Sequence, residues 1–301
     1  MGKKVFISYS HEQGEWVWKN LAPCLAAGGA QVIIDRERAE AGKAIIAQMD
    51  AQQNQADLSV LVLSPDYFAS SYCRHEMNRA LARDPEFLNG AVVPVLRVDC
   101  PLPPDLKKTL YADLQDDNDA AEWDKLMQAC AADLGATAPA WLKTRDEMMK
   151  SFRNGKSICL ETQGRVAWRG LFHDLRENYF FDLHRIDFQS GVTCSRRALV
   201  EEILRLTGSK ITVPREPEDL KILHRVFEGR GYTTRMAFSH FEMVAGREYH
   251  NKADFFAALK HLIERHKLAV MIQTRIAFNE LLPPELQDSP IANLAFQKLQ
   301  G

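Results

Sequence analysis

One acidic side chain in this sequence stands where it could do chemistry on a sugar. Glu76 ends the stretch Ser70-Ser-Tyr-Cys-Arg-His-Glu, and lies in the first turns of a predicted helix. Tyr72 is four residues earlier and therefore one turn away on the same helical face. A carboxylate beside an aromatic ring could hold a ribose and stabilise positive charge at its anomeric carbon. Spacing alone leaves a second role open, in which Glu76 only favours the helix N-terminus electrostatically.

The elements that must position Glu76 alternate between short apolar strands and amphipathic helices. Continuous β-branched strands spaced by helices indicate a parallel sheet covered on both faces, so we predict a doubly wound α/β fold. Ligands of such sheets bind beyond the carboxyl ends of the strands. The predicted strands are 5–7, 31–34, 58–63 and 91–98, and the predicted helices are 16–27, 44–53 and 71–82. The carboxyl ends of the predicted strands carry Ser8, Tyr9, Ser10, Asp35 and residues 64–67, all polar or aromatic apart from Pro65.

Length and composition are those of a two-domain globular protein. The chain has 301 residues, of which 46% are hydrophobic and 26% charged, which argues against disorder and disulfide-stapled miniproteins. Residues 1–138 hold 13 Lys+Arg and 20 Asp+Glu, a net of −7, whereas residues 139–301 hold 25 and 20, a net of +5. The near-neutral total is therefore an average. The two halves could dock on one another, or the basic half could meet an anionic trigger such as nucleic acid.

The cysteines and the first residues of the chain predict a cytoplasmic protein. Six cysteines are scattered without a CxxC pair or metal-ligand spacing, which favours reduced thiols. The N-terminal apolar run is too short for a signal peptide, and no run approaches the ~20 apolar residues of a membrane span. We expect the thiol of Cys73 to pack against the sheet. His75 is two residues along the helix and so faces away from it.

Several short motifs of the first half occur in a familiar order. They are Phe6-Ile-Ser-Tyr-Ser, Gly29 to Asp35, Ala41-Gly-Lys-Ala-Ile, and Ala56 to Glu76, which ends on Ser-x-aromatic-Cys-x-x-Glu. Together they resemble the successive boxes of a TIR (Toll/interleukin-1 receptor) domain of the bacterial NADase type, over roughly residues 3–135. The resemblance implies a flavodoxin-like sheet in a domain of residues 1–138. It also implies cleavage of NAD⁺ between nicotinamide and ribose, with NAD⁺ as substrate and no separate cofactor.

The same resemblance implies roles for individual residues. Glu76 matches the family's catalytic glutamate, which engages the nicotinamide-side ribose and supports an oxocarbenium-like transition state. Tyr72 matches the usual tryptophan of the substrate pocket. Residues 36–43 match a mobile loop that contacts a neighbouring TIR domain, and similar enzymes become active on such assembly. The implied substrate-binding positions are Phe6, Ser8, Tyr9, Ser10, Asp35, Lys43, Ser71, Tyr72 and Cys73.

These features support two hypotheses of different class. The first is a cytoplasmic TIR effector that hydrolyses NAD⁺ upon self-assembly, in bacterial immune defence or regulated cell death. The second is a non-enzymatic TIR adaptor that acts through TIR–TIR and partner contacts. The presence of Glu76 favours the enzyme, and the sequence leaves the trigger and the form of the product open.

The second half begins after a predicted linker, residues 135–139. Strand 157–160, loop 161–170 and the next helix resemble the strand, P-loop and helix that open an AAA-like or STAND-type NTPase. In that alignment G-x-x-x-x-G-K-[ST] falls on residues 162–169, where both glycines are replaced and Trp168 takes the place of the lysine. Ser239 and His240 stand where two acids should hold a metal and activate water.

Loss of the phosphate clamp and the metal ligands removes what phosphoryl transfer requires. We therefore predict a degenerate, non-hydrolysing NTPase-like domain over residues 139–301, used for oligomerisation or sensing. An unrelated α/β domain and a working ATPase are the alternatives. His261 and His266 are five residues apart and do not share a helical face, so no metal site is predicted. The remaining predicted strands are 181–188, 234–238 and 268–273, and the helices are 121–134, 170–176, 196–206 and 253–266.

Overall fold

Two compact units make up the chain, residues 1–142 and residues 143–301. The computed structural model describes residues 2–34, 45–162, 168–214, 218–249, 253–265, 267–282, 284 and 295–299. The division between the units falls four residues after the boundary that the sequence suggested at 138.

The first unit is built on a five-stranded parallel sheet in the order β2-β1-β3-β4-β5. Every residue of β3 is buried, as expected for a strand in the middle of a sheet covered on both faces. The predicted parallel α/β architecture is confirmed for this unit, to which the structure adds the short edge strand β5. The strands are β1 Lys4–Tyr9, β2 Gln31–Ile34, β3 Leu58–Leu63, β4 Val92–Leu96 and β5 Ala112–Asp113.

Helices cover this first sheet. A continuous helical run joins β1 to β2: a 3-10 turn His11–Gln13, α1 Gly14–Trp16, a π-helical turn Val17–Leu21 and α2 Ala22–Ala27. The others are α3 Ile45–Asn54, α4 Pro65–Ala69, α5 Ser71–Arg83, a 3-10 turn Leu106–Lys108 and α6 Ala120–Ala129. Helix α6 stops short of the predicted residue 134, because Ala131 takes a left-handed φ of 52° that breaks the helical repeat.

Helix α5 carries Glu76 and packs against β1 and β3. Its buried positions, Cys73, Glu76, Met77 and Ala80, form one stripe at helical spacing. Three of the four are apolar and pack in a cluster that includes Leu61 of β3. This packing holds Glu76 on the buried face of the helix.

The second unit is built on another five-stranded parallel sheet, in the order β10-β6-β9-β8-β7. Its strands are β6 Ile158–Thr162, β7 Leu183–Asp187, β8 Thr234–Ser239, β9 Leu268–Thr274 and β10 Ala295–Leu299. The helices are α7 Ala138–Arg153, α8 Trp168–Asn178, α9 Arg196–Leu206, α10 Glu218–Glu228 and α11 Ala253–Glu264, with 3-10 turns Gly191–Thr193, Phe241–Gly246 and Phe278–Leu281. Helices α7 and α10 and strand β10 are not among the elements predicted from the sequence.

The start of α7 corrects the predicted linker. The helix begins at Ala138, with Pro139 in its first turn. A proline suits that position because its fixed φ is helical and its missing N–H would have no helical partner there. The Gly-Ala-Thr-Ala-Pro stretch therefore contains a helix start, which the sequence analysis took for a purely irregular segment.

A buried guanidinium joins three helices of the second unit. Arg196 at the start of α9 forms a two-pronged pair with Asp219 of α10, with Nε–Oδ2 at 2.8 Å and NH2–Oδ1 at 2.5 Å. Its NH1 also donates to Asp254 of α11 at 2.6 Å. Arg196 and Asp219 are both almost fully buried, and hydrogen bonds to Asp219 hold the pKa of Arg196 above its usual value.

The turn after α5 is organised by the buried carboxylate of Asp84. Its oxygens accept backbone N–H groups from Leu88 at 2.9 Å, Asn89 at 3.2 Å and Ala91 at 3.1 Å. Burial alone would raise the pKa of Asp84, but these hydrogen bonds hold it below its usual value. The carboxylate thus fixes the route from the helix that bears Glu76 into β4.

We expect Asp84→Asn to lower the free energy of unfolding by about 1–3 kcal/mol at pH 7, because buried N–H groups lose acceptors. A lowered folded-state pKa contributes stability that is present above the unfolded value of about 3.9 and lost as the pH falls below it. The gap between wild type and variant should therefore narrow on acidification. Urea unfolding at pH 7 and below pH 4 measures both effects. Asp99→Asn, at an exposed position, is the control, and equal effects at both sites would contradict this role of Asp84.

For the guanidinium cluster, we expect Arg196→Met to cost about 3–5 kcal/mol in the free energy of unfolding, since it leaves the buried Asp219 without its partner. Arg197→Met is the matched control, because Arg197 is exposed and pairs with the half-exposed Glu201 one turn away. It should cost less than about 1 kcal/mol. Similar losses in the two variants, measured by urea unfolding, would refute the structural role of Arg196.

Candidate active site

Two serine caps set the position of the glutamate-bearing helix. Ser64 follows β3, and its hydroxyl accepts the N–H of Tyr67 at 3.1 Å to begin α4. Ser70 then caps α5 by accepting the N–H of Cys73 at 3.3 Å. Serine at an N-cap satisfies a backbone donor that the helix leaves unpaired. The chain therefore turns twice directly after β3, and Glu76 comes to lie at the carboxyl end of the sheet, beside the end of β1.

Glu76 is buried and hydrogen-bonded there. Its side chain is 4% exposed, and its Oε2 accepts the hydroxyl of Ser8 at 2.5 Å. The Ser8 oxygen also lies 2.8 Å from the phenol oxygen of Tyr67. A hydroxyl has a single proton, so when Ser8 donates to Glu76 it must accept from Tyr67. The result is a directed chain, Tyr67 to Ser8 to Glu76.

The phenol at the head of this chain stays protonated. Tyr67 is completely buried, and burial raises its pKa well above the usual value, with the nearby Glu76 carboxyl adding to the rise. A protonated phenol keeps donating to Ser8, which in turn keeps the serine proton directed at the carboxylate. The site therefore presents one carboxylate backed by two neutral hydroxyls.

A second set of contacts holds the backbone of α5. Gln53 of α3 is buried and donates its amide to the main-chain oxygen of Glu76 at 2.9 Å. Arg79 donates to the Gln53 side-chain oxygen at 3.1 Å and pairs with Asp50 at 3.0 Å. The imidazole of His75 also lies 2.9 Å from Asp50. These bonds tie α3 to α5.

Tyr9, the last residue of β1, contacts both α5 and the helical run that follows the strand. Ser10 contacts the start of that run. The Cys73 thiol donates to the main-chain oxygen of Tyr9 at 3.5 Å, which joins α5 to β1. The Tyr9 hydroxyl accepts the indole N–H of Trp18 at 3.0 Å. Ser10 is buried and its hydroxyl accepts the N–H of Glu12 at 3.4 Å, so it caps the first turn after the strand.

The structure brings some of the predicted site residues together and separates others. Ser8, Tyr9 and Cys73 lie around Glu76. Phe6 does not line an open site. It is fully buried with Ile33 and Ala56, on the same face of β1 as Ser8 but further from the strand's carboxyl end. Asp35, Lys43 and the loop 36–43 lie outside the described residues.

The predicted aromatic wall beside the glutamate is not formed as expected. Tyr72 is 49% exposed, whereas Glu76 is 4% exposed. Successive residues of a helix point about 100° apart, so the position next to buried Cys73 can face solvent. Ser71 is exposed as well. Both lie in the first turn of α5, before Glu76 in the same helix.

Tyr67 and Gln53 complete the site, although neither was predicted to bind substrate. Tyr67 lies in the strand-end segment 64–67, but nothing in its spacing assigns its hydroxyl to Ser8. Gln53 lies in a polar segment rich in glutamine and gives no hydrophobic signal of burial. Only the packing of α3 and α4 against α5 identifies them.

At the carboxyl edge of the second sheet lies a closely packed cluster. The indole of Trp168 is 7% exposed and meets the imidazole of His240 edge to face, with ring centroids 5.1 Å apart. The guanidinium of Arg185 stacks over the same indole at 4.9 Å. His240 Nδ1 lies 2.9 Å from Asp187 Oδ1, and Arg185 donates to the other oxygen at 2.8 Å.

His240 has a backbone conformation that few non-glycine residues adopt. Its φ is 54°, and its N–H donates to the side chain of Gln273 at 2.7 Å. Gln273 in turn donates to Thr162 at the end of β6 at 2.9 Å. A strained backbone conformation of this kind persists only where the surrounding contacts hold it in place. Residues 163–167, which include most of the predicted P-loop equivalent, lie outside the described residues.

Among the described residues, no helix has both the length and the apolar character needed to cross a membrane.

Comparison with known proteins identifies the first unit. The human Toll-like receptor 1 is 32% identical over 72 residues, which are 24% of this chain and 9% of the receptor, so the chain spans under a tenth of that relative's length. The crystal structure of the TIR domain of Toll-related receptor TRR-2 from Hydra magnipapillata is 23% identical, with a TM-score of 0.38. That similarity covers 43% of this chain and 98% of the Hydra domain. The family model described as TIR domain matches residues 5–127, and this part of the chain is a TIR domain.

Proposed function

We propose that the TIR domain cleaves NAD⁺ between nicotinamide and ribose, as a cytoplasmic effector that acts upon self-assembly. The observation that carries the proposal is the carboxylate of Glu76, held by Ser8 at the carboxyl ends of β1 and β3 within Ser-x-Tyr-Cys-x-x-Glu. Ligands of parallel sheets bind at this edge. The TIR family includes NAD⁺-cleaving members, and its domains commonly associate with one another. A role in immune defence or regulated cell death would follow from NAD⁺ depletion.

In the proposed reaction the bond from ribose C1′ to the nicotinamide nitrogen breaks. Nicotinamide leaves as a neutral molecule with the bonding electron pair, and positive charge develops on the ribose ring. The negative charge of the ionised Glu76 carboxylate stabilises that positive charge, which lowers the energy of the transition state relative to the bound substrate. Water then adds at C1′ and releases one proton, so that the products are nicotinamide, ADP-ribose and H⁺.

Access to the carboxylate is the step that assembly would control. With 4% of the residue exposed and Ser8 bonded to its Oε2, Glu76 is enclosed in the described conformation. A ribose hydroxyl could replace the Ser8 hydroxyl on the carboxylate without loss of a hydrogen bond. Substrate binding therefore requires a rearrangement at the sheet edge. Contact with a second TIR domain would supply the free energy for it, because a partner that binds the open form better shifts the population towards it.

The enclosure of Glu76 also favours the second candidate, a non-enzymatic adaptor. A buried carboxylate whose hydrogen bonds are satisfied can have a purely structural role, in which it joins β1, α4 and α5. In that case the surface of the domain, rather than its sheet edge, would carry the function. The two candidates differ in one measurable property, the turnover of NAD⁺ by assembled protein.

For the second unit we propose a non-hydrolysing NTPase-like domain that promotes oligomerisation or senses a trigger. The strand order supports it, because β6 lies inside the sheet and one strand, β9, separates it from β8, as in AAA-type NTPases. The packing of Trp168 on His240 supports the loss of hydrolysis. An indole and an imidazole occupy the edge where a phosphate and its metal would need space and acidic ligands.

We expect Glu76→Gln to reduce nicotinamide release by about a hundredfold or more, because the amide keeps the size of the side chain but not its charge. Wild type and variant are assayed at high protein concentration and under crowding, with nicotinamide measured chromatographically. Glu86→Gln is the matched control, since Glu86 is exposed in the turn after α5. Equal rates in wild type and Glu76→Gln would refute the role of Glu76. No turnover by wild type, even in enforced oligomers, would establish the adaptor.

For the second unit, we expect calorimetric titration of the full chain with ATP and Mg²⁺ to give no saturable heat up to millimolar nucleotide. The physical reason is that an indole and an imidazole pack at the sheet edge where the phosphates would need space, and the Asp187 carboxylate beside them is already paired with His240 and Arg185. A functional P-loop ATPase titrated in the same buffer serves as the positive control. Micromolar binding would overturn this assignment.

A further inference from the structure

Two helices of the second unit bring two imidazoles and a carboxylate together at the surface. His224 and Glu228 are four residues apart in α10 and therefore share a face. His261 lies on α11, which packs against α10. One ligand atom from each of the three lies within 4.8 Å of the others. The two imidazole centroids are 4.9 Å apart, and His261 Nε2 is 3.6 Å from Glu228 Oε1.

We propose that His224, Glu228 and His261 bind a divalent transition-metal ion, Zn²⁺ by preference, and thereby join α10 to α11. Two imidazole nitrogens and one carboxylate oxygen are a donor set that suits Zn²⁺, whereas Mg²⁺ and Ca²⁺ prefer oxygen ligands throughout. Bonds of about 2.0–2.2 Å put the donors of one tetrahedral ion roughly 3.4 Å apart. Side-chain rotation alone can close a set that already lies within 4.8 Å.

The surrounding contacts hold the two helices in place for such an ion. Arg196 joins Asp219 in the first turn of α10 to Asp254 in the first turn of α11, so the two helices are fixed to a common point. Arg265 pairs with Glu228 through NH1 and Oε1 at 3.1 Å. That bond holds the carboxylate beside His261, as outer-shell partners orient ligands in metal sites.

The setting also limits the affinity. The three ligands line an open groove of about 720 Å³ together with the cationic residues Lys221 and Arg225 and with Asp254, whose carboxylate is paired with Arg196. Nearby positive charge opposes a divalent cation, so binding depends on direct bonds to the three ligands rather than on long-range attraction. Three protein ligands leave a fourth position of a tetrahedral ion to water or to a ligand from the groove.

The sequence prediction of no metal site compared His261 only with His266 on the same helix. His224 is far from both in the chain, and its proximity to His261 arises from the packing of α10 on α11. The prediction that no metal site exists is therefore replaced by this proposal. It is independent of NAD⁺ cleavage, because all three ligands lie in the second unit.

The test uses the full chain, stripped with a chelator and titrated with ZnCl₂ against a chromophoric chelator. We expect one Zn²⁺ per chain, and a rise in the thermal unfolding midpoint with Zn²⁺, since an ion that binds only the folded state stabilises it. His224→Ala, His261→Ala and the isosteric Glu228→Gln should each weaken binding at least about tenfold. His173→Ala, at an exposed histidine outside the cluster, should bind as wild type does.

Two further measurements keep the outcome decisive. Co²⁺ should give the intense visible absorption of tetrahedral coordination in the wild type and lose it in His224→Ala, with circular dichroism confirming that the variant is folded. Cys194 is an exposed thiol and another group that could bind Zn²⁺, so Cys194→Ser should leave the affinity unchanged. Loss of binding in Cys194→Ser, unchanged binding in the His224→Ala/His261→Ala double variant, or no binding by wild type would each overturn the proposal.

Discussion

The burial of one carboxylate governs the architecture of the TIR domain's sheet edge. A carboxylate removed from water is costly unless hydrogen bonds replace its hydration. Glu76 is 4% exposed, and its bond to Ser8 requires that α5 reach the end of β1 at one register. Tyr67 must then lie behind Ser8, which places α4, and Gln53 must meet the α5 backbone, which places α3. Four elements thus depend on a single buried group.

The two sheets use their carboxyl edges in different ways. In the TIR domain the edge holds a carboxylate with two hydroxyls, a set that could stabilise developing positive charge. In the second unit the same kind of edge is packed by Trp168, His240 and Arg185, and the Asp187 carboxylate is hydrogen-bonded to both His240 and Arg185. Burial would raise the pKa of Asp187, but hydrogen bonds from the Gln189 backbone and from His240 hold it below its usual value.

The strands and helices with a regular hydrophobic pattern were predictable, because the buried residues of each such element can be identified from its own sequence. The unbroken apolar run of β3 indicates a central strand, and α5 is marked by its serine cap and by Cys73, Met77 and Ala80 at helical spacing. The end of the linker was predicted wrongly, since α7 already begins at Ala138: Gly135 to Pro139 has the composition of a loop, but proline is also favoured in the first turn of a helix. Phe6 was placed in the site by motif position, although its distance from the strand end puts it in the core.

What the sequence determined by itself is the alternation of most strands and helices, without β5, α7, α10 and β10, and the presence of a glutamate in a motif at a sheet edge. Hydrophobic periodicity reports which face of an element is buried, and a cap reports where a helix begins. Neither reports which polar atom of one element meets which atom of another. The chain Tyr67–Ser8–Glu76, the support from Gln53 and the approach of His224 to His261 all join residues distant in sequence. Only tertiary packing decides such pairs, because their geometry depends on how whole elements are seated against one another.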